Sequence, residues 1–285
     1  MTNGGPTEGP RTIAEVLRLS TDHLAARGSA TPRLDAERLI AKATGLERIG
    51  LYLEPERPLN RAELDVVREL VARRARREPL QYILGEWGFR RLTLRVDSRA
   101  LIPRPETEVL VDRALVLLAG LPQPRVLDVG TGTGAIALSI ADEYPSATVV
   151  GIDISSDALA LASENGVATG LSVDFFQHDL FQGLPPGPWD LVVSNPPYVD
   201  EADLGSLEPE VRDWEPHGAL STAGAVEAVV RGAAGALSSG GALVLEVGAG
   251  QTATTAALLG HLRFGDIRVT RDLAGIDRVV EGVLT

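Results

Sequence analysis

Apolar positions recur at helical spacing through the first eighty residues and at strand spacing beyond them. Ile13, Val16, Leu17 and Leu24 share one face of a helix opened by Thr12 with Glu15, a capping-box pair, and stopped by Gly28. Thr31 followed by Pro32 opens a second helix, with Leu34, Leu39 and Ile40 on its apolar side and Gly45 at its end. Asn60 with Glu63 opens a third, carrying Leu64, Val67, Leu70 and Val71 into a basic end of Arg73, Arg74, Arg76 and Arg77 before Pro79. Cations suit a helix C-terminus. The pattern predicts a small helical bundle over residues 11–78.

Residues 91–97 alternate strictly between polar and apolar, as a half-buried strand does. With Tyr82-Ile83-Leu84 ahead of them, and Gly85 and Gly88 between, they predict a β-hairpin, so that residues 79–100 read as a linker between domains. From residue 101 onward strands alternate with helices. Strands are predicted at 126–129, 148–152, 173–177, 191–194 and 242–247, and helices at 135–141, 156–168, 225–238 and 251–262. That rhythm argues for an α/β domain over residues 101–285, a mostly parallel, doubly wound sheet with helices on both faces. Residues 267–269 and 278–280 have no helix between them and predict an antiparallel final strand pair. Residues 1–10, rich in Gly, Pro and Thr, read as a disordered tail.

Composition narrows the chemistry. The 285 residues include no cysteine, which excludes disulfides, cysteine-ligated metals and any thiol nucleophile. The net charge is −12, and it is uneven: residues 1–90 sum to +2 and residues 91–285 to −14. A surface built to grip phosphates is normally basic, so direct nucleic-acid binding is not expected. No apolar run reaches the roughly 20 residues of a membrane span, and the first residues lack a signal-peptide pattern. A cytoplasmic protein with no membrane partner is expected. His23, His217 and His261 show no metal-ligand spacing, and no metal site is expected.

The chemistry-bearing segments follow strands. Gly130-Thr131-Gly132-Thr133-Gly134 lies between a predicted strand and a predicted helix, two residues after Asp128. Glycines there let a ligand approach the backbone, and a helix N-terminus offers free N–H groups. Asp153, at the end of the next strand, can accept from two ribose hydroxyls. A dinucleotide loop reads G-x-G-x-x-G, whereas this one alternates as G-x-G-x-G. It resembles the first motif of class I S-adenosylmethionine (SAM) methyltransferases, and Asp128 suits a cationic ligand tail better than a diphosphate. By the same resemblance Asp179, after the third strand, is a candidate contact for the adenine amino group.

Asn195-Pro196-Pro197-Tyr198 follows the fourth strand directly, and consecutive prolines must end a ladder. An amide or exocyclic amine nitrogen is a poor nucleophile because its lone pair is delocalised. Two neutral acceptors, the Asn195 side-chain oxygen and the Pro196 carbonyl, can hold its two hydrogens and aim the lone pair at a methyl group. Tyr198 can pack on the planar group. Catalysis is then positioning and electrostatics without a covalent intermediate. The tetrapeptide suits amino groups of nucleobases and glutamine amides alike.

Taken whole, the chain resembles the peptide chain release factor glutamine methyltransferases. The resemblance rests on Pro79-Leu80-Gln81-Tyr82-Ile83-Leu84-Gly85 with Phe89, Leu101-Ile102-Pro103-Arg104-Pro105-Glu106-Thr107-Glu108, the glycine loop, Asp153 and Val193-Ser194-Asn195-Pro196-Pro197-Tyr198. Glu246-Val247-Gly248 with Gln251, and Asp272-Leu273-Ala274-Gly275-Ile276-Asp277-Arg278, complete it. The resemblance implies methyl transfer from SAM, giving S-adenosylhomocysteine, to the N5 amide nitrogen of the glutamine in the Gly-Gly-Gln motif of release factors. It implies that Gly130, Thr131, Gly132, Thr133, Gly134, Asp153, Asp179, Leu180 and Asn195 hold SAM. Asn195, Pro196, Pro197 and Tyr198 would hold the glutamine, and residues 102–107, with Arg104 and Glu106, would line the pocket between linker and sheet. The helical bundle would dock the release factor, and a monomer is expected. One departure stands out: Ser221-Thr222-Ala223-Gly224-Ala225-Val226 replaces a glycine-rich family segment, in a loop remote in sequence from the SAM motifs. An amino-methyltransferase of DNA or ribosomal RNA, a SAM-sensing module and a dehydrogenase are the competing readings.

Overall fold

The structure is a computed structural model that describes residues 11–285; the expected N-terminal tail lies outside the described residues. The chain divides into two compact units, one ending at Gly85 and one starting at Glu86.

The first unit is helical. α1 (Ile13–Ala26) is capped by the Thr12 hydroxyl, which accepts from the Glu15 N–H at 3.3 Å. α2 (Pro32–Thr44) starts on its proline and ends on Gly45 in the left-handed region. A single turn, α3 (Gly50–Leu53), precedes α4 (Arg61–Ala75), where Asn60 and Glu63 complete a reciprocal capping box. The apolar faces read from the sequence meet in one core of Ile13, Leu24, Leu39, Ile40, Leu51 and Leu70. Inside that core Asp35 accepts 2.7 Å hydrogen bonds from the Ser29 hydroxyl and the Arg74 guanidinium, all but closed to solvent. The Tyr82-Ile83-Leu84 segment is not the first hairpin strand. It forms a short helix, α5 (Leu80–Leu84), that buries Leu80 and Ile83 in the bundle.

The hairpin is made instead by β1 (Glu86–Phe89) and β2 (Leu92–Arg95), with Phe89 opposite Leu92. It groups with the second unit rather than standing as a separate connector. Its turn is fixed there by Arg90, whose N–H donates to Glu108 at 3.1 Å and whose guanidinium pairs with Glu143 and Asp112. The seven-stranded sheet contains β3 (Arg125–Val129), β4 (Thr148–Asp153), β5 (Asp174–Gln177), β6 (Trp189–Ser194), β7 (Leu237–Glu246), β8 (Phe264–Arg271) and β9 (Asp277–Leu284). Their order is β5-β4-β3-β6-β7-β9-β8. The first five run parallel and β9 is antiparallel to both its neighbours, as the missing helix between the last two strands implied.

Successive strand residues point to opposite faces, and both faces are buried. Val126, Leu191, Val193 and Val244 pack under α6 (Pro105–Leu118) and α7 (Ala135–Glu143). Leu127, Val192, Leu243 and Val280 pack under α11 (Ala225–Ala236) and α12 (Thr252–His261). α8 (Ser156–Thr169) follows β4, and two one-turn helices, α9 (Pro209–Arg212) and α10 (His217–Leu220), lie in the β6–α11 connection. β7 starts five residues before the predicted strand. Ser238 to Gly241 form an irregularity opposite Asp190, and the Ser238 hydroxyl donates to the Trp189 carbonyl at 3.0 Å. Among the described residues no helix is long and apolar enough to cross a membrane.

One buried side chain joins the hairpin to the glycine loop. Asn165 on α8 accepts from the Arg95 N–H at 2.7 Å and donates to the carbonyls of Arg95 (3.1 Å) and Thr133 (2.9 Å). Replacing it by alanine strands three backbone groups with little solvent to replace it. Asn165→Ala is therefore expected to cost roughly 2–4 kcal/mol in urea unfolding of the purified protein; a loss within about 0.5 kcal/mol would show that these groups find other partners.

Candidate active site

The strand order reverses between β3 and β6, and a crevice opens beyond the carboxyl ends of these strands, the place where open α/β sheets bind ligands. The Ser194 hydroxyl ties the two strand ends together by donating to the Val129 carbonyl at 2.7 Å. The crevice holds a cavity of about 400 Å³. Gly130 to Thr133, Asp153, Asp179, Leu180, Asn195 and Pro197 all line it, with Arg104 and Thr107 on another wall. Residues from five separate stretches of sequence therefore meet at one place.

The glycine loop takes its shape from left-handed backbone conformations that residues with a side chain adopt only rarely. Gly130, Gly132 and Gly134 have φ of 72°, 55° and 80°. Gly130 borders the cavity, and a Cβ built on it would meet no atom within 4 Å. Gly134 is different: a Cβ there would lie 3.2 Å from Ala162, Leu138 and Phe175, so this glycine serves packing and does not border the cavity.

The two acids of the motif part company. Asp153 lines the cavity, and its carboxylate accepts from the N–H groups of Gly132 (3.0 Å) and Ser155 (2.9 Å). Burial raises its pKa, and those backbone N–H groups oppose the rise. Asp128, expected to face a cationic ligand tail, does not reach the cavity. It is fully buried and braces its own loop, accepting from the Thr131 hydroxyl (2.7 Å) and the Ala137 N–H (3.2 Å). Its other oxygen has no hydrogen-bond partner, and burial pushes its pKa up to about 7. A carboxyl raised in the folded state binds its proton more tightly there than in the unfolded chain, so its ionisation costs stability as pH rises from about 4 through about 7. The advantage of Asp128→Asn in thermal stability over wild type should therefore grow as pH rises from about 4 to about 7 and level off above that. A difference in Tm that stays constant with pH would contradict the buried, raised carboxyl.

The Asn195-to-Tyr198 turn is divided. Asn195 and Pro197 border the cavity, while Pro196 is buried and Tyr198 lines an adjacent open hollow of about 660 Å³ that Pro197 also borders. The Tyr198 hydroxyl donates to Glu246 at 3.1 Å, and its carbonyl accepts from the Gln251 amide at 2.9 Å. Burial and the Glu246 charge raise the Tyr198 pKa, which keeps the hydroxyl a donor. Asn195 Nδ2 lies 3.1 Å from the Thr107 hydroxyl, which in turn lies 2.7 Å from Glu246.

Arg104 borders the cavity but is not a free cation, because its guanidinium is paired with buried Glu215, which also accepts from the Ile102 N–H at 3.2 Å. Glu106 borders neither hollow. The departing 221–226 loop, remote in sequence, is close in space: Thr222 borders both hollows. His178 also lines the cavity, its ring nitrogen 2.7 Å from the Gly183 carbonyl. The buried acids Glu215 and Glu246 had no assigned role in the sequence. Their signal was a carboxylate amid apolar residues near a strand's carboxyl end or a Pro turn.

Comparisons with known proteins agree with this geometry. Residues 15–85 match the family described as the PrmC N-terminal domain, and residues 107–207 match the Methyltransferase small domain. A release factor glutamine methyltransferase of Geobacter sulfurreducens is 43% identical over 282 residues, covering 97% of this chain and 99% of that protein. One of Chlorobaculum tepidum is 39% identical, covering 96% and 97%. Among solved structures, the Thermus thermophilus 16S rRNA N2 G1207 methyltransferase in complex with AdoMet and guanosine shares the fold, with a TM-score of 0.52 and 20% identity over 70% of this chain and 50% of that one.

Proposed function

This chain belongs to the release factor glutamine methyltransferase family, and from that premise we propose the following reaction. The enzyme transfers the methyl group of SAM to the side-chain amide nitrogen, N5, of the glutamine in the Gly-Gly-Gln motif of peptide chain release factors. The observation that carries this reading is the position of Asn195, on the wall of the same cavity that the glycine loop and Asp153 border.

The residues fit the donor. The open space beside Gly130 admits a ligand chain against the backbone, Asp153 offers a carboxylate to ribose hydroxyls, and Ile154, Leu180 and Phe181 give apolar walls. Bound SAM supplies an electrophilic methyl carbon on a sulfonium. Asp179 is assigned to the adenine amino group, with Thr131, Thr133 and Gly134 completing the loop. Asn195 Oδ1 and the Pro196 carbonyl accept hydrogen bonds from the two N–H groups of the glutamine amide and direct its lone pair at the methyl carbon; as the N–C bond forms and the methyl–sulfur bond breaks, one N–H proton is released to water. Pro197 and Tyr198 confine the planar amide, and Arg104, held by Glu215, shapes the wall beside it. Glu106 is assigned to the outer approach. Positioning of this kind supplies the rate without a covalent intermediate.

The helical unit is assigned to docking the release factor, with the enzyme working as a cytoplasmic monomer that makes no direct contact with nucleic acid. Labelled SAM, incubated with the protein and a release factor, should place label on the wild-type substrate and none on its Gln→Ala loop variant. Label on DNA or ribosomal RNA instead would replace this reading by the nucleobase one.

A further inference from the structure

Asn195 works only if its side-chain oxygen, and not its NH2, faces the cavity, and the two ends of an amide have nearly the same shape. Something must hold it one way round. Three elements converge behind it: the end of β6, the first turn of α6 carrying Thr107, and the end of β7 carrying Glu246. Thr107 and Glu246 are 4% and 1% exposed, so no bulk water competes for their hydrogen bonds.

The donor count settles the direction. Ionised Glu246 can only accept. One of its oxygens takes the Tyr198 hydroxyl at 3.1 Å, and the other takes the Thr107 hydroxyl at 2.7 Å. Thr107 has a single hydroxyl hydrogen, so once it is given to Glu246 the Thr107 oxygen can only accept. The group 3.1 Å away on Asn195 must then be the NH2, which leaves Oδ1 turned from Thr107. Burial raises the Glu246 pKa, and the hydrogen bonds from Thr107 and Tyr198 oppose that rise, as does the positive charge of Arg278, while the charge of Glu106 adds to it.

We propose that Thr107 and Glu246 are positioning residues that fix the orientation of the Asn195 amide and so set its acceptor toward the reacting nitrogen. This rests on the functional reading above. With Thr107 replaced by valine, shape is kept but the acceptor for the Asn195 NH2 and the donor to Glu246 are both lost, and the amide is free to turn. Serine restores the hydroxyl.

The test compares wild type, Thr107→Val and Thr107→Ser with a release factor and SAM, measuring kcat and the KM for each substrate. Thr107→Val should lower kcat about 10- to 100-fold while the KM for SAM moves less than about threefold, and Thr107→Ser should regain most of the lost kcat. A kcat for Thr107→Val within about threefold of wild type, or Thr107→Ser as impaired as Thr107→Val, would overturn the relay while leaving the wild-type reaction standing. A wild-type protein that transfers no methyl group overturns the functional reading and the relay together.

Discussion

Asn195→Ala is expected to lower methyl transfer by about a hundred- to a thousandfold or more, the usual cost of removing a preorganised group from the reacting centre. The native state should survive, because Asn195 is only half-buried and its one side-chain hydrogen bond is to Thr107. The substitution removes one of two acceptors for the glutamine amide, and the Pro196 carbonyl alone cannot fix the nitrogen's direction. Thermal unfolding should stay close to wild type while the rate falls to background. A purified Asn195→Ala protein with substantial activity would remove Asn195 from the role given to it.

Asp35→Ala should have the largest effect on stability, about 3–5 kcal/mol. The Asp35–Arg74 pair is buried in the helical unit, with side-chain exposures of 2% and 7%. Asp35 also accepts the Ser29 and Thr31 hydroxyls, and its loss removes the carboxylate that balances the buried Arg74 charge, leaving the Glu78 carbonyl as a neutral partner. A pair replaced as a whole by apolar residues is often tolerated, whereas half of one is not. Denaturant unfolding should therefore show a loss for Asp35→Ala that Asp35→Leu with Arg74→Met partly recovers. A single-variant loss under about 1 kcal/mol would mean the pair is solvated in solution.

Much of the sheet was readable because β3, β4 and β6 are short apolar runs and the first strands alternate with helices. The helix expected at 156–168 is α8, and the absence of a helix before residue 278 did mark the antiparallel strands. The failures have physical causes. Tyr82-Ile83-Leu84 is too short for periodicity to separate strand from helix; Pro79 before it and left-handed Gly85 after it are the helix limits. Ser238-Ser239-Gly240-Gly241 has turn composition, but the pairing on each side of it continues. Asp128 looked available because it precedes a ligand loop, and only the packing shows it turned inward.

The site was legible in its motifs and hidden in its supports. Gly130, Asp153 and Asn195 announce themselves by spacing and by position after strands, and the cavity gathers them. Thr107 and Glu246 touch across 139 residues, and Arg104 and Glu215 across 111, so no local pattern pairs them. The same is true of Thr222, whose loop is distant in sequence and borders the cavity in space.

The central claim is that this enzyme methylates one glutamine amide. Mass spectrometry of a release factor treated with the protein and SAM tests it most directly, by locating the modified residue within the Gly-Gly-Gln peptide. A gain of one methyl group on the glutamine side chain, absent with Asn195→Ala, is the expected result. An unmodified glutamine, or a methyl group on another residue or on nucleic acid present in the reaction, would contradict it.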